Sequence, residues 1–362
     1  MARDGKQSGS LSQDPLDRLS NFNVLSDKWE AKSRELAVID PVELASYLKS
    51  RVIGQNMVVD SVVARLHRRM AAKRPNKPIA VFCFAGAPGV GKTYLAQILA
   101  EKIYGSPKNL HYIDMTKFGS EATSWTLFGS ASGHVGSNKP GLLPRYLRDV
   151  PNSVVLLDEI EKAHRSILTQ FLSAWNDGFI TEMSDGSKHS TAEAIFIMTT
   201  NAGRARINEY TRDPKITQEE LNKLARGALE DAQFAPEVLS RVDDVFAFRE
   251  LAGLDIARVV ALEIEKTAKS YGLEIAGQGI DPEILMTAID EFTENKPSGG
   301  VREIARHIED KIADGLIDAR ANGAMSVMFE ADGPDVRVIP IDAPATGSDT
   351  ANATGLASEQ SE

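Results

Sequence analysis

Gly86-Ala87-Pro88-Gly89-Val90-Gly91-Lys92-Thr93 follows the apolar run Ile79-Ala80-Val81-Phe82-Cys83-Phe84 and precedes Leu95, Ile98, Leu99 and Ile103. The octapeptide fits G-x-x-x-x-G-K-[ST], the pattern of a loop that cradles phosphates. The run before it is apolar, β-branched and aromatic, and of strand length. The apolar residues after it recur at helical spacing. The loop is therefore expected between a buried strand and a helix N-terminus. Glycines there let backbone N–H groups approach a phosphate with no side chain in the way. The helix N-terminus adds partial positive charge. Lys92 is expected to reach the outer phosphates, and the Thr93 hydroxyl to take a Mg²⁺ position.

Outward from this stretch, the 362 residues suffice for two or three domains of about 100–200 residues each. Hydrophobic content of 42% and charged content of 25% are those of a globular chain. Forty-one basic and 51 acidic residues leave a net charge of -10, which argues against a dedicated nucleic-acid binder. Cys83 is the single cysteine, so no internal disulfide forms, and a cytoplasmic location is expected. Met1-Ala2-Arg3-Asp4-Gly5 leads into no apolar run, and no secretory leader is expected. No apolar run approaches the roughly 18 residues of a membrane span.

Residues 1 to about 35 are polar and read as a mobile arm. Pro41 after Asp40 marks a helix start, with Val42, Leu44 and Leu48 following. Val52-Ile53-Gly54-Gln55 breaks that helix. A second helix sets Val58, Val59, Val62, Val63, Leu66 and Met70 on one face and Arg65, Arg68, Arg69 and Lys73 on the other, with Arg74 just beyond. That basic face reads as solvated rather than nucleic-acid binding, since nothing aromatic interleaves with it. Further strands are expected at Leu110–Met115, Ser153–Leu157, Ala194–Thr200 and Asp244–Phe248, mostly separated by helices. The alternation points to an α/β fold with a five-stranded parallel sheet flanked by helices. Val154-Val155-Leu156-Leu157-Asp158-Glu159 delivers two carboxylates to the C-terminal edge of that sheet, where open α/β sheets bind ligands. Beside a phosphate loop, Asp158 is expected to hold Mg²⁺ through water, and Glu159 to orient or deprotonate the attacking water.

Asp158-Glu159-Ile160-Glu161-Lys162-Ala163-His164 resembles the signature after the catalytic strand of Clp-family AAA+ ATPases, in particular the second ATPase module of ClpA and ClpB. The resemblance runs from about Pro41 to Ile341. It implies an AAA+ fold with a small C-terminal α/β lid, ATP and Mg²⁺ as cofactors, and ATP hydrolysis by a ring, a homo-hexamer, that remodels a protein substrate or complex. The implied organisation is a flexible arm over 1–40, a large ATPase domain over 41–249, a lid over 250–341 and a disordered tail over 342–362. By the same resemblance Val52 and Ile53 belong to an adenine-contacting box. Asn201 takes the sensor 1 position, Arg241 in Phe234–Arg241 the arginine finger, and Arg302 after Gly300-Val301 the sensor 2 position.

Departures from the family pattern shape the expectation. Gly133-His134-Val135-Gly136 stands where unfolding members carry an aromatic pore residue between glycines, so His134 is the expected, weaker substrate contact. Thr181–Ser190 matches a second pore loop without an aromatic. No Ile/Leu-Gly-Phe/Leu tripeptide lies between Asn201 and Phe234, so no ClpP-type protease partner is expected. A first ATPase module and a middle coiled coil do not fit in this length, and a full ClpB-type disaggregase is not expected. The rival readings are a nucleotide-dependent switch without threading and, on the strength of Arg65–Arg74 alone, a DNA-directed ATPase.

Overall fold

The structure, a computed structural model, describes residues 40–341 apart from 73–75, 131–139, 214, 296 and 298. Contacts divide the chain into two compact units. One holds the described residues up to Ala85 together with Lys92–Ala247; the other groups Gly86–Gly91 with the chain from Phe248 onward.

The first unit is built on strands β1 (Ala80–Ala85), β2 (Leu110–Asp114), β3 (Val154–Asp158), β6 (Ile195–Thr200) and β7 (Asp244–Ala247). They lie in the order β2-β3-β6-β1-β7, and every pairing is parallel. Every residue of β1 and β6 and the first four of β3 are buried. This is why they read as unbroken apolar runs: a parallel strand with helices over both faces has no wet side to alternate toward. Helices α1 (Pro41–Lys49), α2 (Asn56–Ala71), α3 (Lys92–Tyr104), α4 (Arg165–Asn176) and α5 (Gln218–Asp231) surround the sheet in sequence. The start of α1 is fixed by its cap, where the Asp40 carboxylate accepts from the Val42 N–H at 2.8 Å with Pro41 in the first turn. Val42 itself is 75% exposed, so the apolar face of α1 is Leu44 and Leu48.

Register fixes what meets at the carboxyl edge. Ala85 pairs with Thr200, Leu157 with Met198, and Asp114 with Asp158. Four strand ends, carrying two aspartates, two threonines and the approach to the glycine-rich loop, thus reach one level.

Strands β4 (Phe179–Thr181) and β5 (Lys188–Ser190) form an antiparallel hairpin whose turn and second strand make up the Thr181–Ser190 stretch. Its turn buries Glu182, only 2% exposed, whose carboxylate accepts the Gly141 N–H at 2.7 Å.

In the second unit, helices α6 (Leu254–Ser270), α7 (Pro282–Asn295) and α8 (Val301–Ala321) pack with strands β8 (Glu274–Ile280), β9 (Ser326–Asp332) and β10 (Asp335–Pro340). The sheet order is β10-β9-β8, with β8 parallel and β10 antiparallel to β9. Val260, Ile264, Ile304, Ile308, Ile312 and Leu316 recur at helical spacing and form the heart of its core. Strand β8 was not expected. Gly277 and Gly279 interrupt it, Gln278 has φ 58°, and its register slips between Ile275 and Ile280, so no alternation marks it. Among the described residues no helix is long and apolar enough to cross a membrane.

The basic face of α2 has a structural occupation. Arg69 Nη1 lies 2.7 Å from Asp243 Oδ1, and Arg65 Nε 3.5 Å from Asp244 Oδ1. Asp243 Oδ2 also accepts the Val81 N–H at 2.9 Å. These half-buried pairs tie α2 to the start of β7. Arg69→Ala removes a charge-assisted partner of Asp243 worth about 1.5–3 kcal/mol. The expected outcome is a lower denaturant midpoint for the first unit, read by fluorescence. An unchanged midpoint would return the arginines to solvent.

Candidate functional site

Three hydroxyls converge on Asp158 at the end of β3, with Lys92 and Asn201 paired beside them. Asp158 follows four buried residues, so its carboxylate sits where water access is reduced and donors are needed. Thr93 Oγ1, in the first turn of α3, donates to Asp158 Oδ1 at 2.8 Å. Thr199 Oγ1, near the end of β6, donates to the same oxygen at 2.6 Å. The Tyr112 hydroxyl, on β2, donates to Oδ2 at 3.0 Å. Lys92, only 7% exposed, donates from Nζ to Asn201 Oδ1 at 2.9 Å.

Glu159 leaves the strand with φ 55°, the left-handed region that side-chain-bearing residues avoid. Its N–H donates to Thr199 Oγ1 at 3.0 Å, so one hydroxyl holds both acidic residues. Asn201 Nδ2 approaches Glu159 Oε1 at 3.5 Å, a long contact that leaves the carboxylate only loosely held. Glu161 braces the other side, its Oε1 accepting the Asn201 N–H at 3.0 Å. Its Oε2 is buried with no hydrogen-bond partner among the described residues. Behind it, burial and then the Glu161 charge push the Cys83 thiol up to about 12, with Arg226 and Lys92 opposing.

The donor set suits Mg²⁺. Thr93 and Asp158 offer a hydroxyl and a carboxylate side by side, hard oxygen ligands for a cation that keeps waters and takes the rest of its shell from phosphates. Among the described residues no group of three His, Cys, Asp or Glu side chains could hold a metal ion.

In the second unit, the loop Gly86–Gly91 has the backbone a phosphate cradle requires. Gly89 and Gly91 have φ 75° and 96°. A Cβ on Gly89 would lie 3.0 Å from the Gly299 carbonyl oxygen, and one on Gly300 would lie 2.6 Å from that of Pro88. The start of α8 therefore approaches the loop so closely that only glycine fits. Arg302 stands in the first turn of that helix with its side chain exposed. Ala87 and Val90 are buried.

The other expected site residues are placed as follows. Val52 is buried and Ile53 half-buried in the turn between α1 and α2. Arg241 is exposed and has no ion-pair partner among the described residues. Arg226 on α5 positions its segment by donating to the Leu239 and Val242 carbonyls at 3.0 and 2.8 Å. Gly133, His134, Val135 and Gly136 lie outside the described residues. Sequence reasoning missed Tyr112, Thr199, Glu161 and Arg226. Two signals were present: the Thr199-Thr200 pair closing an apolar strand, and the third acid of Asp158-Glu159-Ile160-Glu161.

Residues 77–245 match a family model described as AAA domain (Cdc48 subfamily), and residues 32–121 one described as Torsin. The chain is 32% identical over 280 residues to the ATP-dependent Clp protease ATP-binding subunit ClpE of Lactococcus lactis, covering 76% of this chain and 36% of that protein. It is 33% identical over 291 residues to Chaperone protein ClpB 2 of Parasynechococcus marenigrum, covering 78% and 32%. With the negative regulator of genetic competence ClpC/MecB of Bacillus subtilis it shares 31% over 300 residues, covering 80% and 36%. The chain spans about a third of the length of the curated relatives it matches.

The left-handed Glu159 backbone yields a stability test. Gly accepts that conformation freely, whereas Ala bears a penalty of about 1–2 kcal/mol, partly offset by the greater entropy glycine loses on folding. Glu159→Gly is expected to be more stable than Glu159→Ala by about 0.5–1 kcal/mol in denaturant unfolding. The reverse order would mean the turn relaxes once the side chain is gone.

Proposed function

The chain belongs to the Clp family of AAA+ ATPases, and on that premise we propose that it binds ATP with Mg²⁺, hydrolyses it, and uses the cycle to remodel a protein substrate or complex as a ring. The observation that carries the reading is the convergence of Lys92, Thr93, Asp158, Glu159 and Asn201 at one sheet edge through contacts of 2.8–3.5 Å. In this reading the Gly86–Gly91 backbone and Lys92 hold the phosphates, and Val52 and Ile53 contact the adenine. Mg²⁺, held by Thr93 and Asp158, supplies positive charge against the phosphate oxygens. Glu159 takes the proton of the attacking water, with Asn201 orienting that water and the loose Glu159–Asn201 contact leaving the base free to swing. Arg302 touches the nucleotide from the lid.

Arg241 is the reading's argument for assembly. An exposed guanidinium on a braced segment suits a finger offered to a neighbouring subunit, and such fingers are worth about 10³–10⁵ in rate. A homo-hexamer is the proposed ring, located in the cytoplasm. The absence of a docking tripeptide between Asn201 and Phe234 favours action without a ClpP-type protease. His134 favours a second reading, a nucleotide switch that grips no chain, because imidazole offers less apolar surface than a phenol ring. Stimulation of the ATPase by casein, an unfolded protein, separates the two: threading raises the rate and a switch does not.

Lys92→Ala is expected to weaken nucleotide binding by about 10- to 100-fold, the equivalent of 1.5–3 kcal/mol for a charge-assisted contact. Glu159→Gln is expected to bind normally and hydrolyse about 10²- to 10⁴-fold more slowly. Calorimetric titration and phosphate release read the two effects, and full turnover by Glu159→Gln would sink the assignment. For Arg241→Ala the expected pattern is normal binding with lost turnover, partly restored by mixing with Lys92→Ala subunits. Specific activity that holds constant on dilution to a proven monomer would count against a shared site.

A further inference from the structure

Tyr112 is a half-exposed tyrosine on β2, at the edge of the five-stranded sheet. Its β2 register places it beside Leu156, two residues short of the Asp114–Asp158 pair. A side chain there could extend into water. Instead its hydroxyl turns to the end of the neighbouring strand and donates to Asp158 Oδ2 at 3.0 Å.

The division of donors on Asp158 gives that contact its meaning. A carboxylate has about four acceptor directions, two on each oxygen. Oδ1 already takes the Thr93 and Thr199 hydroxyls. Both approach the same oxygen, and neither holds the other. Tyr112 is the one donor to Oδ2 among the described residues. It therefore fixes the rotation of the carboxylate about its last bond and leaves one acceptor direction on Oδ2 for a hydrated cation. A phenol is protonated at neutral pH, so the hydroxyl can donate to Oδ2.

We propose that Tyr112 is a positioning residue for the metal site, its hydroxyl setting the Asp158 carboxylate plane and so the divalent-cation affinity of the nucleotide complex. The inference rests on the ATP and Mg²⁺ reading above. It adds a residue from a strand that carries none of the motif positions.

Tyr112→Phe keeps the ring and deletes one hydroxyl. The test uses the full chain in the Glu159→Gln background, where nucleotide is not consumed. A fluorescent ATP analogue is titrated in EDTA and then in rising Mg²⁺, and Mn²⁺ binding is followed in parallel by electron paramagnetic resonance. The expected result is a metal midpoint raised about three- to tenfold by Tyr112→Phe, a modest part of what a charged hydrogen bond is worth because the ring is half-exposed. The affinity in EDTA, read for every variant, reports the phosphate loop and the fold. With Glu159 intact, the Mg²⁺ concentration for half-maximal turnover is expected to rise by the same factor, with kcat recovered at saturating Mg²⁺. An unchanged metal midpoint overturns the proposal. So does an affinity in EDTA that falls with it, which marks general damage. If the Glu159→Gln protein with Tyr112 intact binds no nucleotide, or binds it without regard to metal, the ATP and Mg²⁺ reading itself fails. If that protein responds to metal and the Tyr112→Phe form responds equally, only the present inference does.

Discussion

A carboxylate carried to the end of a buried strand must be met by donors there, and the architecture of the first unit answers that demand. Asp158 has behind it four residues of β3 with no exposed surface. Its charge is met by hydroxyls from three elements: β6 and β2, placed by the parallel register, and the first turn of α3. A one-residue slip in any of the three would turn the hydroxyl to the opposite face of its strand or away from the helix start. Correct pairing of the sheet and correct assembly of the acidic site are thus one event.

The same economy governs Thr199 and Asn201. Thr199 accepts from the Glu159 backbone while donating to Asp158, so the strained turn at Glu159 is held by a hydroxyl that also serves the adjacent acid. Asn201 joins Lys92, Glu159 and Glu161 through three of its atoms. A ligand that draws Lys92 away must also change what Asn201 holds. Hydrogen-bonded chains of this kind respond as units in a low-dielectric setting. A fixed left-handed turn and a loosely held Glu159 side chain suit the proposed role of Glu159 as the base.

Much of this was legible in the amino-acid sequence because fully buried parallel strands write themselves as contiguous apolar runs. Ala80–Ala85, Val154–Leu157 and Ile195–Met198 needed no partner to be recognised. The phosphate loop and the Asp158-Glu159 pair are local in sequence, and local chemistry can be read locally. Tyr112 could not be read this way: its hydroxyl acquires a role only through the pairing of β2 with β3, which no window around residue 112 contains. The arginines of α2 posed the same difficulty, since Asp243 and Asp244 lie far along the chain. Strand β8 was lost for a different reason, its glycines having removed the alternation that announces a strand.

Cys83, the single cysteine, is buried in the middle of β1. Burial, and then the Glu161 charge, push its thiol up to about 12, which keeps the reactive thiolate scarce at neutral pH. Peroxides and disulfide reagents attack thiolates, so this centre is insulated from oxidation by the same burial that shapes the sheet. These 362 residues are then a ready background for chemical labelling, in which a cysteine introduced at the surface would react ahead of the buried Cys83.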